Sequence, residues 1–88
     1  MAHRVVLGAK AERAFRKLST RDRERIKAAL LQLEDDPARA RPGADIKQLR
    51  GTKLLYRIRI GTWRAVYGVH GNDVIITDIF PRARGYDV

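Results

Sequence analysis

The sequence predicts an α+β domain of order β-α-α-β-β-β, a helical hairpin packed on one face of a mainly antiparallel four-stranded sheet. Three observations carry that expectation. Apolar residues recur at helical spacing between Ala11 and Leu33, alternate with period two from Leu54 onward, and the alternating stretches are separated by glycine-led turns at Gly61-Thr62 and Gly71-Asn72. At 88 residues, 44% hydrophobic and 33% charged, the chain fits one globular domain and is too apolar for a disordered one.

His3–Leu7 is a short apolar run with β-branched content and reads as a strand. From Ala9 the period changes: Ala11, Phe15 and Leu18 lie on one face of a helix. Ser19, three residues before Asp22, is placed to cap a second helix, whose apolar face is Ile26, Leu30 and Leu33 with Ala29 between them. That helix ends at Glu34-Asp35-Asp36-Pro37, because proline disfavours helical geometry in the residue before it. The short link between the helices implies an antiparallel pair, and one apolar face each implies a sheet for them to cover. Ala38 to Ile46 has no period and contains Pro42-Gly43, so it reads as loop. Leu54–Ile60, Trp63–Val69 and Val74–Phe80 then follow as strands, and Pro81 stops the last one.

Composition removes several kinds of chemistry. Without cysteine there is no disulfide framework, thiolate metal site or cysteine nucleophile, and two histidines cannot close a structural zinc site. No apolar stretch approaches the ~18 residues of a membrane span, and Met1-Ala2-His3-Arg4 does not open a signal peptide. A cytoplasmic protein without membrane contact, metal or small-molecule cofactor is the expectation. The charge is less ordinary. Nineteen Lys and Arg against ten Asp and Glu give +9, and the stretch from Ile46 to Asn72 holds six basic residues and no acid. Charge so segregated points to a polyanion partner rather than to a solubilising surface.

A two-residue loop at Gly61-Thr62 fixes the hairpin register. Arg59 then faces Arg64 and Arg57 faces Val66, while Tyr56, Ile58, Ile60, Trp63, Ala65 and Tyr67 share the other face as a seat for the helices. The face opposite the helices thus carries Arg57, Arg59 and Arg64 together. Like charges directly opposite each other destabilise a sheet by up to ~1 kcal/mol, a cost that an anion would relieve. Arginine suits a phosphate ligand, since its planar fork binds two oxygens and keeps its charge. Beyond the sheet, Arg82, Arg84 and Tyr86 extend the basic character into the tail. Asp78 is an oddity: an uninterrupted register puts it on the helix side opposite Ala65, unless it lies at the sheet's end or a bulge turns it toward the arginines.

These residues resemble the RelE/ParE superfamily of toxin–antitoxin toxins. The likeness runs through the element order, Leu49-Arg50-Gly51, the block Tyr56-Arg57-Ile58-Arg59-Ile60-Gly61-Thr62-Trp63-Arg64-Ala65-Val66-Tyr67, and Arg82 followed four residues later by Tyr86. It is closest to the RelE branch, whose members cut mRNA in the ribosomal A site and are held inactive by an acidic antitoxin of RelB type. The resemblance implies that Arg57 and Arg59 grip and polarise the RNA backbone and that Arg64 and Arg82 stabilise charge at the scissile phosphate. It also implies that Tyr86 stacks on or orients the A-site nucleotide, with Lys53 and Arg84 adding RNA contacts. The chain departs from many relatives in having Pro81 where they have histidine, and arginine at 57 and 59 where some have lysine.

The reaction so implied is attack of a ribose 2′-OH on the adjacent phosphorus, leaving a cyclic phosphate and a free 5′-OH. It needs in-line geometry, charge stabilisation, a base and an acid. Arginines supply only the charge stabilisation, because a guanidinium with pKa above ~12 is a poor proton acceptor. His70 reads as a turn residue and His3 as a strand residue, which leaves Tyr86 and, more remotely, Lys53 as proton-transfer candidates. The expectation is that the protein supplies electrostatics and the ribosome supplies substrate geometry. Two other readings stay open: a ParE-like inhibitor of DNA gyrase without nuclease activity, and an RNA-binding module without chemistry.

Overall fold

The computed structural model describes residues 3–51 and 54–84. Its elements run β1 (Arg4–Leu7), α1 (Ala9–Arg16), α2 (Thr20–Leu31), a 3₁₀ turn (Gln32–Glu34), β2 (Asp45–Gln48), β3 (Leu55–Ile60), β4 (Trp63–His70), β5 (Asp73–Pro81) and a final 3₁₀ turn (Arg82–Arg84). The strands form one sheet in the order β1-β5-β4-β3-β2, with β1 parallel to β5 and every other pair antiparallel. The α+β class and the element order agree with the sequence, and each expected strand is found to within a residue or two at its ends. The strand count does not, because the sheet has five strands. The extra one, β2, lies in and just beyond the segment read as loop. It is four residues long at a sheet edge and buries only Ile46, too little for a period to show. The turn that feeds it is legible in hindsight: Arg41 and Ala44 exchange backbone hydrogen bonds of 3.0 and 2.8 Å across Pro42-Gly43, and Gly43 takes φ 87°. Proline then positive-φ glycine is the signature of a type II turn.

Side chains satisfy the start of α2 and the ends of both helices. Ser19 Oγ accepts the Asp22 backbone N–H at 3.1 Å, the expected cap of α2. At the end of α1, the Arg23 guanidinium donates to the Leu18 carbonyl at 2.7 Å and to the Arg16 carbonyl at 3.4 Å, closing the hairpin between the helices. Arg41 does the same for the end of α2 and its 3₁₀ extension, donating to the carbonyls of Gln32, Asp36 and Arg39 at 2.7, 2.9 and 2.6 Å.

Ala11, Leu18, Ile26, Leu30 and Leu33 from the helical layer meet Ile46, Ile58, Ile60, Ala65, Tyr67, Val74, Ile76 and Ile79 from the sheet in one buried cluster. The cross-strand rows are regular: Ile46, Ile58, Ala65 and Ile79 form one row of this face, and Gln48, Tyr56, Tyr67 and Ile76 the next. Tyr67 is fully buried, its ring stacks on Tyr56 at 5.6 Å, and its hydroxyl donates to the Pro37 carbonyl at 2.6 Å. That bond pins the loop after α2 to the sheet.

Burial, reinforced by the neighbouring Tyr56 phenol, pushes the Tyr67 pKa above that of a free phenol. The folded protein therefore holds this proton while the unfolded chain releases it near pH ~10. The associated stability is fully present below that pH and is lost as pH rises above it. Tyr67→Phe is expected to lower unfolding free energy by about 1–2 kcal/mol at neutral pH, through loss of the buried hydrogen bond. It should also flatten the alkaline decline, so that denaturant midpoints of variant and wild type converge above pH ~10.

Candidate nucleic-acid interface

The face turned away from the helices is built of two cross-strand rows. Asp45, Arg59, Arg64 and Phe80 make one, and Lys47, Arg57, Val66 and Asp78 make the other. The hairpin register is the one that Gly61-Thr62 dictates, with Arg59 opposite Arg64 and Arg57 opposite Val66. Gly61 takes φ 60°, as the first central residue of such a turn requires. Arg57, Arg59 and Arg64 therefore stand together, as the sequence implies. Val66 and Phe80 are buried on this side of the sheet and belong to no part of the helix-side cluster.

Phe80 is there because of a bulge. The pairing of β4 with β5 shifts between Val66 and Tyr67, so that Tyr67 opposes Ile76, Val66 opposes Asp78, and Thr77 is the extra residue. Without that residue in excess, Phe80 would point into the helix layer and Ile79 away from it. Asp78 accordingly does not lie opposite Ala65 on the helix side. It is 4% exposed opposite Val66, accepts the Ile79 backbone N–H at 2.9 Å through Oδ1, and holds Lys10 Nζ at 3.3 Å through Oδ2. The carboxylate is thus engaged by α1.

Asp45 joins the site from β2, the strand whose lack of a period hides it in the sequence. Its Oδ2 accepts from Arg59 Nε at 2.8 Å and lies 2.8 Å from Arg59 Nη2, while its Oδ1 is 3.9 Å from Arg57 Nη1. Two arginines thus share one carboxylate, and unevenly. The Arg57 side chain is only 17% exposed. Burial lowers its pKa most, the Arg59 and Arg64 charges add to that, and Asp45 opposes it. Both Arg57 Nη1 and Arg64 Nε are buried without a hydrogen-bond partner among the described residues. Orphaned donors on charged groups are costly, and an anion satisfies them directly.

Arg82 approaches from the rim. Its backbone N–H donates to the Thr62 carbonyl at 2.7 Å, and its Nη1 donates to the Gly61 carbonyl at 3.4 Å. Thr62, Trp63, Arg64, Pro81, Arg82 and Ala83 line an open depression of about 410 Å³, which brings Arg64 and Arg82 to one concavity. Lys53, Tyr86 and the Arg84 side chain lie outside the described residues. His70 is exposed at the far end of β4, about 20 Å along the strand from Arg64, and His3 hydrogen-bonds through its backbone N–H to Glu34. Neither joins the arginines. Among the described residues no three His, Asp or Glu side chains are grouped to hold a metal ion. None of the described helices is long and apolar enough to cross a membrane.

Comparison with known proteins agrees with this architecture. The RelE–RelB complex of Pyrococcus horikoshii superposes with a TM-score of 0.80 at 29% identity, over 97% of this chain and 100% of the other. The intact Escherichia coli RelBE toxin–antitoxin complex matches at 0.75 and 25% identity over 91% and 96%, and the RelBE2 complex of Mycobacterium tuberculosis shares the fold at 0.78 and 23% over 93% and 100%. Among curated proteins no relative matches the chain. Residues 5–86 match the family model described as the ParE toxin of type II toxin–antitoxin system, parDE. That match spans nearly the whole sheet and both helices, and the chain belongs to this family of type II toxins, in the RelE/ParE superfamily, with a fold of RelE type.

Proposed function

We propose that this toxin is a ribosome-dependent endoribonuclease that cleaves mRNA in the A site by attack of a 2′-OH on the adjacent phosphate. The observation that carries the reading is the convergence of Arg57, Arg59 and Arg64 on one sheet face, with buried guanidinium N–H groups left unpaired and Arg82 at the rim. In this reading Arg57 and Arg59 hold the RNA backbone, and Arg64 and Arg82 stabilise the charge that builds on the phosphoryl oxygens. Tyr86 orients the nucleotide, and Lys53 and Arg84 add backbone contacts. Arg57 keeps its charge despite its burial, so it gains most when a phosphate arrives. Proton transfer and in-line alignment fall largely to the ribosome-bound substrate, which accounts for a site rich in arginine and poor in titratable groups.

The partner in this reading is a cognate acidic antitoxin of RelB type, as in the RelE–RelB complexes this fold resembles. Charge steering by a +9 chain makes that association fast and salt-sensitive. A second reading has a specific observation in its favour: the matching family model is that of ParE, and ParE-type toxins poison DNA gyrase. The two differ in what they damage.

Expression without the antitoxin, reading growth and mapping mRNA ends by primer extension, separates them. Codon-phased cuts accompanied by arrest are expected. DNA breakage and filamentation with intact mRNA would transfer the assignment to gyrase, and RNA binding without cut ends would reduce it to a binding module. Arg64→Ala and Arg82→Ala should each slow cleavage by about 10²–10³-fold, the usual loss for one donor at a developing oxyanion. Arg64→Ala should do so with unfolding free energy unchanged or raised by up to ~1 kcal/mol, because it removes a buried guanidinium nitrogen that has no partner. Purified toxin should leave free RNA nearly uncut under conditions where ribosome-bound mRNA is cleaved; equal rates on both would contradict the division of labour.

A further inference from the structure

We infer that Asp45 is a built-in stand-in for the substrate: a carboxylate that occupies the Arg57–Arg59 fork in the free protein and gives way when a phosphodiester binds. The inference rests on the proposal that this face takes RNA phosphates, and it adds how the site is regulated. Three features point to it. Asp45 lies directly opposite Arg59, and its Oδ2 is 2.8 Å from both Nε and Nη2 of that guanidinium. The same carboxylate meets Arg57 only as a long ion pair, since 3.9 Å is beyond hydrogen-bond range, and Arg57 Nη1 has no hydrogen-bond partner among the described residues. Asp45 also begins a four-residue edge strand and its side chain is 50% exposed, so it can turn into water with no core to disturb.

A carboxylate on a short stem satisfies one guanidinium and leaves its neighbour wanting. A phosphodiester, whose single charge is spread over two oxygens and which is not anchored to β2, can settle between both, and in this reading the next phosphate along the strand meets Arg64. Asp45 therefore competes most effectively against small single anions and least against a chain of phosphates. It biases the face toward polynucleotide and away from free phosphate. The carboxylate also spares the folded protein an unrelieved Arg57–Arg59 repulsion while the site is empty.

The test compares wild type, Asp45→Asn and the control Asp73→Asn, each titrated with inorganic phosphate and with a short single-stranded RNA at several salt concentrations. Asp73 is a comparably exposed carboxylate, paired with Arg4 at 3.2 Å, so its neutralisation changes net charge equally but away from the arginines. Asp45→Asn is expected to bind both probes about tenfold tighter (about 1.4 kcal/mol), with the larger gain for inorganic phosphate. Its log–log salt slope for RNA should steepen by about one unit. Asp73→Asn should stay within about twofold of wild type, as a distant, screened charge does. Asp45→Thr, a strand-favouring replacement, should reproduce the gain if asparagine weakens β2. Affinities for Asp45→Asn and Asp45→Thr that match Asp73→Asn, or fall below wild type, would overturn the inference. Tighter binding by the Asp45 variants without cleavage on ribosomes would remove the nuclease reading and leave this one standing. Normal cleavage without tighter binding would do the reverse.

Discussion

The two-residue turn at Gly61-Thr62 sets where the three arginines of the β3–β4 hairpin go. Because Gly61 takes a positive φ, the chain reverses without spending a third residue, and the strands leave the turn with Ile60 opposite Trp63. From there the pleat assigns alternate residues to opposite sides, so Ile58, Ala65 and Tyr67 enter the helix-side core while Arg57, Arg59 and Arg64 take the other face. A slip of one residue in either strand would drive a guanidinium toward Ile26 and Leu33, into a cluster that holds no carboxylate among the described residues, where an unpaired charge is intolerable. The burial that stabilises the domain therefore also enforces the arrangement of charge. The arginine face depends on the core.

A second constraint acts on the neighbouring strand. By placing Thr77 in excess, the bulge lets β5 put Ile76 and Ile79 on the helix side even though they are three residues apart, and it releases Phe80 to the arginine side. Phe80 then ends the row that begins Asp45, Arg59, Arg64. Read across, that row passes from a carboxylate through two cations to a buried aromatic residue. Arginine is suited to the middle of such a row, because its stem packs on apolar surface while its fork reaches outward.

These two features explain which parts of the molecule can be read from the sequence. The hairpin from Tyr56 to Tyr67 is legible because alternation is unbroken on both sides of a turn with a known chemistry, and the three arginines follow from it. The α2 cap is legible because Ser19 and Asp22 stand at the spacing that one hydrogen bond requires. Asp78 is left undecided by the same alternation, which allows the helix side or a bulge toward the arginines, and the bulge that settles it and turns Phe80 leaves no mark in composition. Strand β2 escapes because a four-residue edge strand with one buried side chain carries no period, and its Asp and Lys are poor strand formers that suit an exposed edge. Missing β2 also hides the only carboxylate that pairs with the site's arginines among the described residues, since Asp45 stands one position outside the acid-free stretch that draws attention to the charge.

Asp45 changes the electrostatics of the arginine face. With arginines alone, the face would be pure repulsion, and folding would have to bear it. With Asp45 in place the repulsion is relieved at Arg59 and only partly at Arg57, where burial and two neighbouring cations still depress the pKa. Arg64 keeps a buried N–H without a partner. The free protein thus sits between two limits: a fully paired face would be stable and would bind phosphate weakly, while a fully unpaired one would bind strongly at the expense of the fold. With Asp78 held by Lys10, Asp45 alone among three guanidinium groups leaves the face under-compensated. The residual positive charge is what the proposed phosphate site would use.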